Sequence, residues 1–143
     1  LKPNKKFHPV PARGFLATAS KQYDFILLDA YFGDRSIPEQ LVTQEFFKQV
    51  KSRLSDQGVV VANFIVAPDF ISPFSQKIDN TIRSVFPYVS RISIGEKYDL
   101  WNNDTAQIGN LIYVHKNRDG YLPHDEIYTD NKNTMFFDKP QRR

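Results

Sequence analysis

The sequence predicts an α/β fold: a mainly parallel sheet with helices on its faces and an antiparallel hairpin at its C-terminal side. Three observations carry that expectation. Apolar runs at 24–29 and 59–66 read as strands, and two amphipathic stretches with recognisable starts read as helices. The two kinds of element alternate, as they do in parallel sheets with crossover connections. The last two strand-like runs, 88–94 and 111–115, leave no room for a helix between them and should therefore pair antiparallel.

The elements can be justified in order. Residues 1–12 contain three prolines and three lysines and read as an extended lead-in. Arg13 to Ser20, with Phe15 and Leu16, fits a short helical turn. Phe25, Ile26, Leu27 and Leu28 then form an unbroken apolar run, the pattern of a strand covered on both faces. It stops at Asp29, and Gly33 and Pro38 break any regular continuation. Thr43 reads as a helix N-cap, with Glu45 in the first turn near the positive end of the helix dipole. Phe46, Phe47, Val50 and Leu54 recur at helical spacing, and Gly58 is expected to end that helix.

Residues 59–66, V-V-V-A-N-F-I-V, are the strongest strand pattern, β-branched and continuous, with burial expected on both faces. Asn63 is its polar exception, and a buried amide must find partners in a neighbouring strand end or in a ligand. Ser72 followed by Pro73 marks a second helix start. Phe74, Ile78, Ile82, Val85 and Phe86 form its apolar face, and Pro87 ends it. The run 88–94 is more polar and suits a sheet edge. Residues 13–116 are read as the folded unit, and 117–143 as an irregular tail.

Composition narrows the classes of function. At 143 residues the chain suits one domain, and its 12 phenylalanines supply bulk for packing helices on a sheet. No apolar stretch approaches the roughly 20 residues that span a bilayer, and no signal-peptide pattern opens the chain, so no membrane partner is expected. With no cysteine there is neither a disulfide framework nor a thiolate metal site, which is compatible with a cytoplasmic protein. His8, His115 and His124 lack ligand spacing, so no metal is expected. The net charge of +3 comes largely from the ends, Lys2, Lys5, Lys6, Lys139, Arg142 and Arg143, and argues only weakly for nucleic acid.

The predicted topology gathers polar residues at one place. Ligands of open α/β sheets bind at the carboxyl ends of the strands. The ends of 24–29 and 59–66 and the loop 95–110 share that edge, where Asp29, Asp34, Asn63, Tyr98, Trp101 and Gln107 are expected to converge. Asp29 either caps its own loop or faces a ligand. Two nearby carboxylates favour a cationic guest over a neutral or anionic one.

The run Y-D-F-I-L-L-D-A-Y-F-G-D-R-S-I-P-E-Q-L-V-T-Q-E-F-F, followed by L-S-D-Q-G-V-V-V-A-N, resembles the spermidine synthase (polyamine aminopropyltransferase) family and its spermidine-synthase-like relatives. Q-I-G-N-L-I-Y-V and E-I-Y-T-D-N are similar to later segments of that family. The resemblance implies a partial Rossmann-like sheet of the class I methyltransferase type, of which this chain would be the C-terminal half. It implies transfer of an aminopropyl group from decarboxylated S-adenosylmethionine, a co-substrate, to a small cationic amine, with no prosthetic group. Asp29 then corresponds to the catalytic aspartate that takes the amine proton, and Asp34 loosely to a second acidic residue that binds the amine. Asn63 stands where the family carries a polar residue facing the polyamine, and Gln107 opens the shared Q-I-G. Tyr98 and Trp101 either line the substrate channel or pack their loop. Pro11 and Ala12 stand at the family's adenine-contacting pair, which assigns Ala12 to the nucleotide side although its aspartate is replaced.

The family's glycine-rich nucleotide loop and ribose-binding acidic residue have no counterpart here, so the chain is not expected to be active alone. A half-sheet would also expose a strand edge for a second copy or the absent N-terminal half to cover. Two other functions fit the same pattern: a methyltransferase-type domain with another acceptor, and a non-enzymatic binding or dimerisation module.

Overall fold

The computed structural model describes residues 6–31, 37–67, 70, 72–94, 109–115 and 129–131. The elements run in order α1 (Ala12–Thr18), β1 (Tyr23–Leu28), a 3-10 turn (Glu39–Leu41), α2 (Gln44–Ser52), β2 (Leu54–Val66), α3 (Pro73–Arg83), β3 (Val89–Ile94) and β4 (Gly109–His115). The four strands form one sheet in the order β1-β2-β4-β3. β1 and β2 are parallel, and β4 is antiparallel to both of its neighbours. The α/β class and the terminal antiparallel pair are thus as expected. β4 returns between β2 and β3, leaving the more polar β3 at the edge.

This order fixes where a site can lie. Leu28 pairs with Ala62 at the end of β1, Val66 pairs with Gly109, and Ile94 with Asn110. The carboxyl ends of β1, β2 and β3 and the start of β4 therefore line one edge of the sheet.

Both long helices begin as their sequences dictate. The Thr43 hydroxyl accepts the Phe46 amide at 3.3 Å, satisfying one of the donors that a helix start leaves free. Ser72 accepts the Ser75 amide at 3.1 Å ahead of Pro73, whose fixed φ suits the first helical position. Phe46, Phe47 and Val50 of α2 and Phe74, Ile78 and Ile82 of α3 are buried, joined by Val85 and Phe86 just past the end of α3. They pack on Val60, Ala62, Phe64 and Val66 of β2 and on Leu111 and Tyr113 of β4. Phe47 meets Phe64 edge-on, with ring centroids 6.2 Å apart.

The other face of the sheet differs from expectation. Phe25 (58% exposed) and Leu27 (55%) of β1 face away from the helices, as do Ile92 (49%) and Ile94 (54%) of β3. β1 is not covered on both faces among the described residues, and β2 alternates between buried and half-buried positions. The reason is that α2 and α3 pack on the same face, so an unbroken apolar run does not here report two-sided burial.

Gly58 does not end α2. The helix stops at Ser52, and β2 begins at Leu54. Tyr23 pairs with Leu54 but Phe25 with Val59, so β2 bulges between them, and the Ser55 hydroxyl donates a hydrogen bond to Asp24 at 2.7 Å. A Cβ at Gly58 would lie 2.7 Å from the Leu54 side chain and 3.0 Å from the Ser55 carbonyl oxygen. The glycine is needed for this close approach within the strand.

Two polar clusters tie the layers together. Buried Asp79 on α3 accepts from Arg83 at 3.1 Å and from Arg91 of β3 at 3.4 Å. Arg91 also lies over the Phe70 ring, 4.3 Å from its centroid, and Phe70 has a positive φ of 56°. Near the start of α1, Arg13 grips Asp130 with two parallel hydrogen bonds of 2.9 and 2.7 Å. The Asp130 amide donates to Glu45 at 2.8 Å. Residues 129–131 are thereby held against α1 and the first turn of α2. Among the described residues no helix is long and apolar enough to cross a membrane.

Candidate functional site

β1 delivers Asp29 immediately past its last paired residue, and β2 delivers Asn63 one position beyond Ala62, the partner of Leu28. Parallel pairing alone makes these two positions neighbours on the ligand-binding edge of the sheet. Asn63 Nδ2 donates to Asp29 Oδ1 at 3.0 Å. A carboxylate only accepts, so this contact fixes the amide's orientation. Asp29 is exposed, and its Oδ2 has no partner among the described residues.

Tyr31 completes the arrangement. Its hydroxyl donates to the Asn63 main-chain carbonyl at 2.8 Å, linking the segment after β1 to the end of β2. Burial, and then the charge of Asp29, push the Tyr31 phenol up to about 12. It therefore remains a protonated donor throughout the neutral range. Asn63 Oδ1 is buried and has no hydrogen-bond partner among the described residues. Such an unmet acceptor costs about 1–3 kcal/mol, and groups of this kind recur at functional sites.

The expected site residues, the six of this edge and Ala12 of the nucleotide side, fall into three groups. Asp29 and Asn63 meet, in direct contact. Ala12 opens α1, exposed, and its neighbour Arg13 reaches the Gln40 carbonyl and Asp130 rather than Asp29. Asp34, Tyr98, Trp101 and Gln107 lie outside the described residues. The strand ends that flank the 95–108 segment, Ile94 and Gly109, do sit on the Asp29 edge. Tyr31 was not among the expected residues. The available signal was an aromatic hydroxyl two residues past the strand end, but its acceptor is a main-chain carbonyl that no sequence pattern marks.

The site's chemistry is that of hydrogen-bond acceptors around one carboxylate. It suits a ligand that brings N–H donors or positive charge. Among the described residues there is no group of three or more His, Asp or Glu placed to hold a metal ion.

No family model matches the chain. Over 63 residues it is 46% identical to a polyamine aminopropyltransferase of Vibrio vulnificus, a match covering 42% of this chain and 21% of that protein. Over 74 residues it is 38% identical to a probable polyamine aminopropyl transferase of Bifidobacterium longum, covering 52% of this chain and 16% of that one. It is also 39% identical over 72 residues to an N-terminal histidine N-methyltransferase of Emericella nidulans, covering 50% and 12% respectively. Among solved structures, MNMC2 from Aquifex aeolicus superposes with a TM-score of 0.43 at 17% identity, covering 82% of this chain and 32% of that one. In the part that the first two relatives match, the chain is similar to polyamine aminopropyltransferases. It spans about a fifth of the Vibrio protein's length and less of the others.

Proposed function

We propose that this chain supplies the amine side of an aminopropyltransferase site, with Asp29 as the carboxylate that holds the acceptor and takes its proton. The observation that carries this reading is the Asn63–Asp29 contact at 3.0 Å, which occupies one carboxylate oxygen and leaves the other without a partner among the described residues. In the reaction, the lone pair of an amine nitrogen attacks the methylene carbon bound to the sulfonium of decarboxylated S-adenosylmethionine. A C–N bond forms as the C–S bond breaks, methylthioadenosine leaves with the sulfur electron pair, and the nitrogen's surplus proton passes to Asp29. The carboxylate is suited to this step because it accepts the proton while already attracting the cationic remainder of a polyamine. The similarity to two polyamine aminopropyltransferases supports the choice of reaction.

The sequence contains no glycine-rich loop for a nucleotide, so the reading assigns the nucleotide side to elements other than those described. The similarity to a histidine N-methyltransferase supports a second reading, in which the same edge presents a different nitrogen acceptor to a methyl donor.

Calorimetric titration with putrescine, spermidine and methylthioadenosine tests the proposal. The amines are expected to bind, and Asp29→Asn to weaken them about 10- to 100-fold, the worth of one hydrogen bond to a charged group. Amine affinity unchanged in Asp29→Asn would overturn the assignment. Binding of a histidine-containing peptide but of neither amine would favour the second reading.

A further inference from the structure

The hydrogen bonds around Asp29 form a closed circuit. From Asp29 the chain runs through Ala30 to Tyr31, whose hydroxyl donates to the Asn63 carbonyl at 2.8 Å. The side chain of that same Asn63 returns to Asp29 at 3.0 Å. The regular β1–β2 ladder ends at Leu28 and Ala62, so beyond that point the ladder no longer holds the segment after β1, whereas Asn63 stays paired with Ile112 of β4. Tyr31 extends the link by one residue and does so with a single hydroxyl.

We propose that Tyr31 is a positioning residue of this site: by anchoring the segment after β1 on the Asn63 carbonyl, its hydroxyl sets one oxygen of Asp29 against the Asn63 amide and reserves the other for an incoming N–H. The proposal rests on the amine-binding reading for what finally occupies that oxygen, but not for the circuit itself. Tyr31 touches neither substrate nor reacting atom in this scheme, and it acts only through Asn63. Removing the hydroxyl while keeping the ring frees the segment after β1 to shift against β2, whose Asn63 stays paired with β4. The Asn63 amide can then turn, and Asp29 loses its fixed orientation. The half-buried ring would still pack, so a role confined to filling space predicts no change at Asn63.

The test follows the Asn63 side-chain NH2 resonances by ¹H–¹⁵N NMR in the whole chain, in wild type, Tyr31→Phe and Asp29→Asn, alongside amine titration. Asp29→Asn identifies the carboxylate-bonded proton by its shift. Tyr31→Phe is expected to move the same resonance and to quicken its solvent exchange, and to weaken putrescine binding roughly 2- to 12-fold, the range of one neutral hydrogen bond. An Asn63 signal unchanged in Tyr31→Phe overturns the proposal. If wild type binds no amine yet the Asn63 signal moves, the positioning role stands and the amine reading falls. Should Tyr31→Phe fail to fold, the Tyr31 ¹³Cζ titration in wild type and Asp29→Asn replaces it. A lower titration midpoint in Asp29→Asn supports the coupling, and identical midpoints overturn it.

Discussion

At the scale of single residues, chemistry follows from which charges share a small volume. His115, the last residue of β4, stacks against Phe86 with ring centroids 5.2 Å apart. Its Nδ1 is buried without a hydrogen-bond partner. Burial first, and then the nearby Lys51 ammonium, hold the imidazole below its ordinary 6.5. Lys51 is itself fixed there, donating to the Val85 carbonyl at 2.9 Å and lying over the Phe86 ring. The unfolded chain therefore takes up this proton before the folded one does. Stability should fall as pH drops below 6.5, through the window down to the lower folded value. His115→Phe keeps an aromatic ring against Phe86 and removes the proton. Urea unfolding measured across that window is expected to show a flatter pH dependence in the variant. An equally steep dependence would place the acid sensitivity elsewhere.

At the scale of elements, α3 is joined to the sheet by more than its apolar face. Asp79 accepts from Arg83 within the helix and from Arg91 on β3, and it lies beside buried Tyr113 of β4. Burial first, and then the Asp79 charge, push the Tyr113 phenol well above its ordinary value. Replacing a whole buried ion pair by apolar groups can be harmless, but removing the carboxylate alone takes from Arg83 and Arg91 the anion they share. Asp79→Ala is therefore expected to cost about 3–5 kcal/mol, read as a lower urea midpoint at unchanged slope. A loss within the range of ordinary exposed ion pairs, about 0–1 kcal/mol, would mean that Arg83 regains water in the variant. Such a cluster orients α3 as well as stabilising it, because three elements must meet at one carboxylate.

At the scale of the whole molecule, residues far apart in sequence close around the two helices that begin the fold. Asp130 joins Arg13 of α1, 117 residues away, to Glu45 of α2, 85 residues away. The hydrogen bond from Arg13, followed by one with Thr43 and the Arg13 charge, holds the Asp130 carboxyl below its ordinary 3.8 despite an opposing contribution from burial. A depressed carboxyl contributes stability above its unfolded value, and that contribution is lost as pH falls through the folded one. Docking of 129–131 should therefore persist at neutral pH and weaken only in strong acid. Asp130→Asn should release it at neutral pH, seen as faster hydrogen exchange at the residue-130 amide that Glu45 now holds. Unchanged exchange in that variant would show that Glu45 alone suffices. The apolar face carrying Phe25, Leu27, Ile92 and Ile94 also belongs to this scale, together with the edges of β1 and β3, which no other described strand pairs. Exposed edges and apolar patches are a pairing hazard.

Much of this was written locally. Thr43 and Ser72 start helices because short hydroxyl side chains match the free amides of a first turn, a relation within four residues. Strand and helix identities followed from the spacing of apolar residues, and the position of Asp29 at a strand end followed from where that spacing broke. The alternation of elements was enough to bring Asp29 and Asn63 to one edge, because parallel strands end on the same side. Other features depended on packing and were not legible. Gly58 looked like a helix stop, but a bulge in β2 required it for its lack of a side chain against Leu54. The run 25–28 looked buried on both sides, but one apolar string reads alike whether helices lie on one face or two. What the sequence by itself determined is the set of elements and the carboxylate at the end of the first strand, since both depend on short-range spacing. Only the tertiary structure decided that Asn63 turns its amide to Asp29 and that Tyr31 holds the Asn63 carbonyl. Those are contacts between side chains and atoms more than thirty residues away, and nothing in local periodicity encodes their direction.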